Sequence, residues 1–190
     1  YLGERLERQG FVEAAGRLYG RMEAQDPGMV LARAMTDCRL GLAYDPERYQ
    51  ESLARIASMR FGRSALTGLE RLTLLATEHG LCKDYADGLI PQAAAQMRAN
   101  PVLARMHFHA WVIEGRYLLG SGRPAEARAA FGGALALRPD VEVALLAVQA
   151  DARKGNLDAA RGSLGLARRI LAGYNPLKRR SAPLLRRGSA

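Results

Sequence analysis

The strongest constraint on the fold of this chain is the regular placement of its helix breakers. Gly or Pro interrupts the sequence at Gly10, Asp26-Pro27, Asp45-Pro46, Gly62, Gly80, Asn100-Pro101, Gly122, Pro139, Gly155 and Gly173. A glycine can close a helix in the left-handed region, and a proline cannot continue one. Between the breaks Ala, Leu, Arg, Glu and Met dominate, all strong helix formers, while Val, Ile and Thr are sparse. No run alternates as a strand with hairpin turns. The intervals predict helices at 2–9, 11–24, 28–43, 46–60, 64–79, 86–99, 102–120, 124–137, 140–154 and 157–172. Pro46 and Pro124 suit a first helical turn, where a missing N–H costs nothing. Pro91 is harder to place, and a late helix start that leaves 84–90 as loop accommodates it.

Length and composition remove several classes. With 190 residues, of which 48% are hydrophobic and 25% charged, the chain can bury a core. No window approaches 18 uncharged apolar residues, so no transmembrane helix is expected. No charged-then-apolar leader is visible. The two cysteines cannot build a disulfide framework. Cys38 and Cys82 read either as small buried hydrophobes or as one long-range pair in an oxidising compartment.

The net charge of +9 is unevenly distributed. Lys178, Arg179, Arg180, Arg186 and Arg187 follow Tyr174 with no acid among them. The upstream chain is therefore close to ordinary. Lysine occurs only at Lys83, Lys154 and Lys178, and the Arg, Ala and Gly bias fits a high-GC bacterial genome. Nucleic-acid binding needs a basic stripe on one face. A basic tail with no aromatic beyond Tyr174 to stack a base does not supply it.

Helix pairs recurring at about 34 residues call for a comparison with helical repeats. From Phe108 to Asp140 the chain reads FHAWVIEGRYLLGSGRPAEARAAFGGALALRPD. Ala110-Trp111, Gly115, Gly122, Ala127, Phe131, Ala134, Leu135, Leu137 and Pro139 stand at the spacing of the tetratricopeptide repeat, and this segment resembles it. Glu114 departs from the family's Leu, and Leu118 from its Tyr, with Tyr117 one position early. The physics agrees with the resemblance. Small residues at Gly115 and Ala127 let two helices approach, and Trp111 and Phe131 fill the gaps left between them. Residues 2–27 repeat the register through Leu2-Gly3, Gly10, Ala15, Tyr19 and Asp26-Pro27, and 141–173 through Gly155, Ala160, Leu164 and Ala167. In that register Tyr1 falls inside a first helix, so the chain is expected to be a piece of something longer upstream.

The expected architecture is all-α, an antiparallel helical-hairpin solenoid of about five helix pairs. Residues 1–173 form the repeat domain: a partial repeat at 1–27, degenerate pairs at 28–100, the best repeat at 101–140 and a last one at 141–173. Residues 174–190 form a basic, flexible tail.

Little in the sequence resembles chemistry. His107 and His109 point about 200° apart on a helix and cannot share a metal. No His-x-x-x-His, Cys-x-x-Cys or phosphate-loop spacing exists. Glu51, Glu70 and Glu78 read as solvated helix faces. We therefore expect no catalytic residues, no metal and no cofactor. The resemblance implies a concave face lined by the first helix of each pair, here His109, Val112, Arg116 and Leu119, then Leu146 and Arg153. Such an apolar and cationic surface suits a partner protein or peptide carrying acidic groups. The family's carboxylate clamp of paired Lys and Asn is absent. Arg179, Arg180, Arg186 and Arg187 are candidate contacts for an anionic membrane surface. The expected role is a non-catalytic scaffold within a larger bacterial chain, periplasmic or cytoplasmic and beside a membrane. The alternative is a soluble accessory domain of a membrane-bound envelope glycan enzyme, glycosyltransferase- or polymerase-like, with its chemistry elsewhere.

Overall fold

In a computed structural model the chain is described over residues 2–56 and 63–173. The helices are α1 (Leu2–Arg8), α2 (Val12–Met22), α3 (Met29–Arg39), α4 (Pro46–Ile56), α5 (Arg63–Thr77) and α6 (Lys83–Ala99). A short 3-10 turn, Pro101–Leu103, leads into α7 (Ala104–Gly120), followed by α8 (Pro124–Leu137), α9 (Val141–Arg153) and α10 (Leu157–Gly173). Among the described residues there is no strand. Short turns join consecutive helices as antiparallel neighbours except between α4 and α5, whose connection lies outside the described residues, and each odd-numbered helix from α3 onward also packs on the next odd-numbered one. The second helix of a hairpin lies against the first helix of the next, as α2 on α3, α6 on α7 and α8 on α9. This is an all-α hairpin solenoid.

One local device recurs at the hairpin turns. Gly10, Gly41, Gly122 and Gly155 all take φ between +73° and +85°. At each, the residue after the glycine donates its N–H to the carbonyl five residues back, as in Arg123 to Leu118 at 2.8 Å and Asn156 to Asp151 at 3.0 Å. That hydrogen bond, with the left-handed glycine, closes a helix end and reverses the chain. The turns that start new helices use side-chain oxygens instead. Asn100 accepts from the Val102 N–H, Asp140 from that of Val143 and Asn156 from that of Ala159.

Two expectations about helix ends are corrected. The helix expected at 28–43 stops at Arg39, because Gly41 turns the chain there. The helix holding Pro91 starts at Lys83 rather than late, so 84–90 is helical. Proline removes one backbone bond, but Leu89, Ile90, Ala93, Ala94 and Met97 are completely buried around it. Their burial outweighs a local break. The expected stretch 57–60 and the whole segment 174–190 lie outside the described residues.

The core has two parts that meet at α7. Ala110, Ile113 and Tyr117 join the part built from α2 to α6. Phe108, Leu118 and Leu119 join the part built with α8 and α9. Within the α7–α8 hairpin Gly115 lies under the Phe131 ring, where an added Cβ would be 2.5 Å from Cε1. Gly3 of α1 meets the Tyr19 ring of α2 at the same sequence spacing. Trp111 differs from the expectation that it fills the hairpin like Phe131. It is only half-buried, packs against Gly133, and carries the Arg98 guanidinium 3.6 Å over its ring. Glu114, where the repeat family prefers Leu, is buried and ion-paired to that same Arg98 at 2.5 Å.

These contacts rank three substitutions. Phe131→Ala removes a fully buried ring and should cost about 3–5 kcal/mol. Trp111→Ala, half-exposed, should cost about half as much. Gly115→Leu drives a side chain into Phe131 and should cost about 1–3 kcal/mol or more. Urea melts of the three variants check the order; equal losses for Phe131 and Trp111 would contradict it.

Candidate functional site

Three first helices, α5, α7 and α9, leave a groove of about 720 Å³ across the face of the stack. From α5 come Glu70, Arg71, Thr73, Leu74 and Thr77, with Glu78 in the turn that follows it. From α7 come Ile113, Arg116, Leu119 and Gly120, and from α9 Leu146 and Arg153. The face exists because the helix stripes match. Glu70 and Leu74 fall at i and i+4 on one side of α5, and Glu78 continues the stripe in the turn just past its end. Ile113, Arg116 and Gly120 fall likewise on α7. Gly120 lets α7 approach α5, since a side chain there would strike Thr77.

Four of the six residues expected on the concave face meet here: Arg116, Leu119, Leu146 and Arg153. Two do not. His109 is exposed beside Phe108, with ring centres 5.4 Å apart, and Val112 packs against the second part of the core. Both sit nearer the start of α7, beyond the groove. Leu119 is itself buried and contributes mainly its carbonyl, which accepts from Arg153 Nη1 at 2.8 Å. The basic residues Arg179, Arg180, Arg186 and Arg187 lie outside the described residues.

The charges in the groove are arranged by helix. Arg116 donates to Glu142 at the rim. Arg71, at the far end, is tied to Glu7 at 2.5 Å and Glu4 at 3.6 Å. Glu70 and Glu78 have no ion pair or hydrogen bond among the described residues, and Arg153 has no carboxylate partner. Leu74, 46% exposed, stands between the two acids. Thr73, 8% exposed, lies in the floor with its Oγ1 unpartnered.

Sequence reasoning placed a helix at 64–79, close to α5, but missed its part in the groove. It placed Glu70 and Glu78 on a solvated face, and they are exposed, but that face is one wall of the groove. The signal was present as the Glu70, Leu74, Glu78 stripe. It went unread because 28–100 lacks the small-residue signature that sets the register.

Elsewhere polar groups are buried for structural reasons. Asp37 receives Tyr49 Oη at 2.5 Å, Arg33 at 3.1 Å and Arg48 at 3.0 Å. Tyr117 donates to Asp87. Cys38 and Cys82 form a disulfide with Cα atoms 5.6 Å apart, joining the end of α3 to the turn before α6. Cys82 takes φ +58°, the one non-glycine residue at positive φ among those described. Among the described residues no three His, Cys, Asp or Glu side chains converge as metal ligands. No described helix is long and apolar enough to cross a membrane.

No family model matches the chain, and no curated protein matches it. Two solved structures are similar in outline. One is a crystal structure of MamA, 17% identical, covering 91% of this chain and 96% of that one at a TM-score of 0.45. The other is a MamA RS-1 double mutant, 17% identical, covering 92% and 93% at 0.43.

Among the described residues burial raises five phenols above the ordinary value, Tyr44, Tyr49 and Tyr85 in one group and Tyr19 and Tyr117 elsewhere. Burial, with help from the nearby Glu7 carboxylate, pushes Tyr19 up to about 12 although its hydroxyl makes no normal hydrogen bond. Burial and the bond to Asp87 push Tyr117 up to about 12. Both folded values exceed the ordinary value of 10.0. The folded state therefore holds these protons more tightly, and their stabilisation is complete below pH about 10 and fades as pH rises through about 12. Denaturant midpoints should fall over that window. Tyr19→Phe and Tyr117→Phe together should make the fall shallower, the remainder coming from Tyr44, Tyr49 and Tyr85, and an unchanged slope would contradict the assignment.

Proposed function

We propose that this chain is a non-catalytic interaction module that docks a peptide or partner protein in the groove across α5, α7 and α9. The observation that carries this reading is a long apolar floor edged by ionised side chains, three of them without a counter-ion among the described residues. A floor of Leu74, Ile113 and Leu146 offers area to an apolar side chain. The edges offer orientation rather than proton transfer, because no nucleophile and base stand together there. Solenoids of stacked helix pairs use such inner faces for extended binding surfaces.

The test uses residues whose loss should not disturb the core. Leu119 is unsuitable, being buried. Leu74→Asp and Arg153→Glu are exposed changes, and far-ultraviolet circular dichroism should stay unaltered. Partners crosslinked to a photoreactive side chain at position 74 should be lost, by about tenfold or more, in the Arg153→Glu background. A control substitution at exposed Arg161 on α10 should keep them. Crosslinking that survives Arg153→Glu, together with pulldown of the same partners by Leu74→Asp, would end this assignment.

The Cys38–Cys82 bond supports residence in an oxidising compartment, since such bonds are rare where thiols are kept reduced. The bond spans 44 residues, and reduction should cost about 4 kcal/mol by chain entropy. In cells, both thiols should resist alkylation until a reductant is added. Ready labelling without reductant would place the chain in a reducing compartment instead.

A further inference from the structure

Resting on the docking assignment above, we infer that the groove's occupant is a bipolar amphipathic segment: a partner with an apolar ridge, basic side chains on one edge and acidic ones on the other. An acidic peptide is what the residues of α7 and α9 alone suggest. The α5 wall opposes it. Glu70 and Glu78 stand on that wall, exposed, and neither has an ion pair or hydrogen bond among the described residues. Arg153 on α9 faces the groove from the opposite side, with one N–H given to the Leu119 carbonyl and no carboxylate partner. A guanidinium carries five N–H donors, so most of its capacity remains.

The two walls carry opposite charge and do not neutralise each other, because α7 lies between α5 and α9. Neighbouring packed helices have axes about 8–10 Å apart, so the walls stand about 16–20 Å apart across α7. That span admits a helix of about 10–12 Å diameter. Both outer walls present their charges beside leucine: Leu74 lies between Glu70 and Glu78, and Leu146 precedes Arg153 on α9. A partner's apolar ridge over Leu74, Ile113 and Leu146 would put one of its edges against the acids and the other against Arg153. Like-charge edges on both sides would set one edge against its own sign, which costs specificity and association rate. Arg116 does not alter the balance, since Glu142 already neutralises it. Thr73 adds a hydroxyl in the floor that lacks a partner within the protein.

Four fluorescein-labelled helical peptides of one length test this by anisotropy against the full chain. Three share a leucine ridge and differ in their edges: Lys on one and Glu on the other, Glu on both, or Lys on both. The fourth keeps the bipolar edges with serine in place of the ridge. The wild-type chain should bind the bipolar leucine peptide about tenfold tighter than the other three. Glu70→Arg with Glu78→Arg should move the preference to the all-Glu peptide, and Arg153→Glu should move it to the all-Lys peptide. The triple exchange should restore the bipolar preference, because a helix can bind in the reversed direction. A wild-type preference for the all-Glu peptide that Glu70→Arg with Glu78→Arg leaves unchanged would overturn the bipolar assignment while leaving docking intact. Equal binding of all four peptides by every variant would overturn the docking assignment as well.

Discussion

The rest of the structure depends on α7 being buried from both sides. Ala110, Ile113 and Tyr117 face one part of the core, while Phe108, Leu118 and Leu119 face the other. Two apolar faces let one helix join two parts of a core, while a third, polar face with Arg105, His109 and Arg116 stays exposed. The position of α7 lets the N-terminal hairpins and the last two stack into one array. The close approach at Gly115, with the Phe131 ring filling the space beneath it, sets how near α8 can come. Thr77 against Gly120 does the same for α5. The groove is the uncovered side of this arrangement, with α7 as its floor and α5 and α9 as its walls.

Around that centre the helix joints share a chemical device. A carboxylate is buried at or near a joint and given a donor from a neighbouring helix. Glu7 of α1 takes Arg71 of α5 and Asp37 of α3 takes Tyr49 of α4, whereas at the α6–α7 joint the buried group is Tyr117, which donates to the exposed Asp87. Glu114 of α7 takes Arg98 of α6, and Asp151 of α9 takes Arg128 of α8 and Ser163 of α10. Such pairs add little net stability beside an apolar alternative, because desolvation offsets their attraction. Their consequence is register. A hairpin that slid by one turn would leave a buried charge unpaired, at a cost of several kcal/mol. Together with the tyrosine group of Tyr44, Tyr49 and Tyr85 and the Cys38–Cys82 bond, they hold the stretch where the repeat signature fades.

Legibility followed the same division. The breakers at Gly10, Gly122 and Gly155 and the order of the helices were readable, since each break acts through its own backbone. Phe131 over Gly115 was readable because spacing within one hairpin places them. Trp111 was read as filling the hairpin; it does pack on Gly133 of α8, but its ring stays only half-buried and also takes the Arg98 guanidinium from the preceding hairpin, a contact that spacing within one hairpin does not place. Pro91 was read as a late start and lies inside α6, because burial of its neighbours overrides the local preference. His109 and Val112 shared the stripe of Arg116 by periodicity, yet the groove ends before them.

The sequence alone determined the helices, the reversals between them and the hairpin architecture, because propensity, capping and the left-handed glycine act over a few residues. It also determined that α7 and α8 pair closely, through small residues at fixed spacing. Only the tertiary structure decided that Cys38 and Cys82 lie within bonding distance, that Glu114 finds Arg98, and that the two acids of the α5 wall face Arg153 across α7. Those facts depend on how one hairpin is rotated on the next. That rotation is the summed outcome of many side-chain contacts, and no local pattern in the chain encodes it.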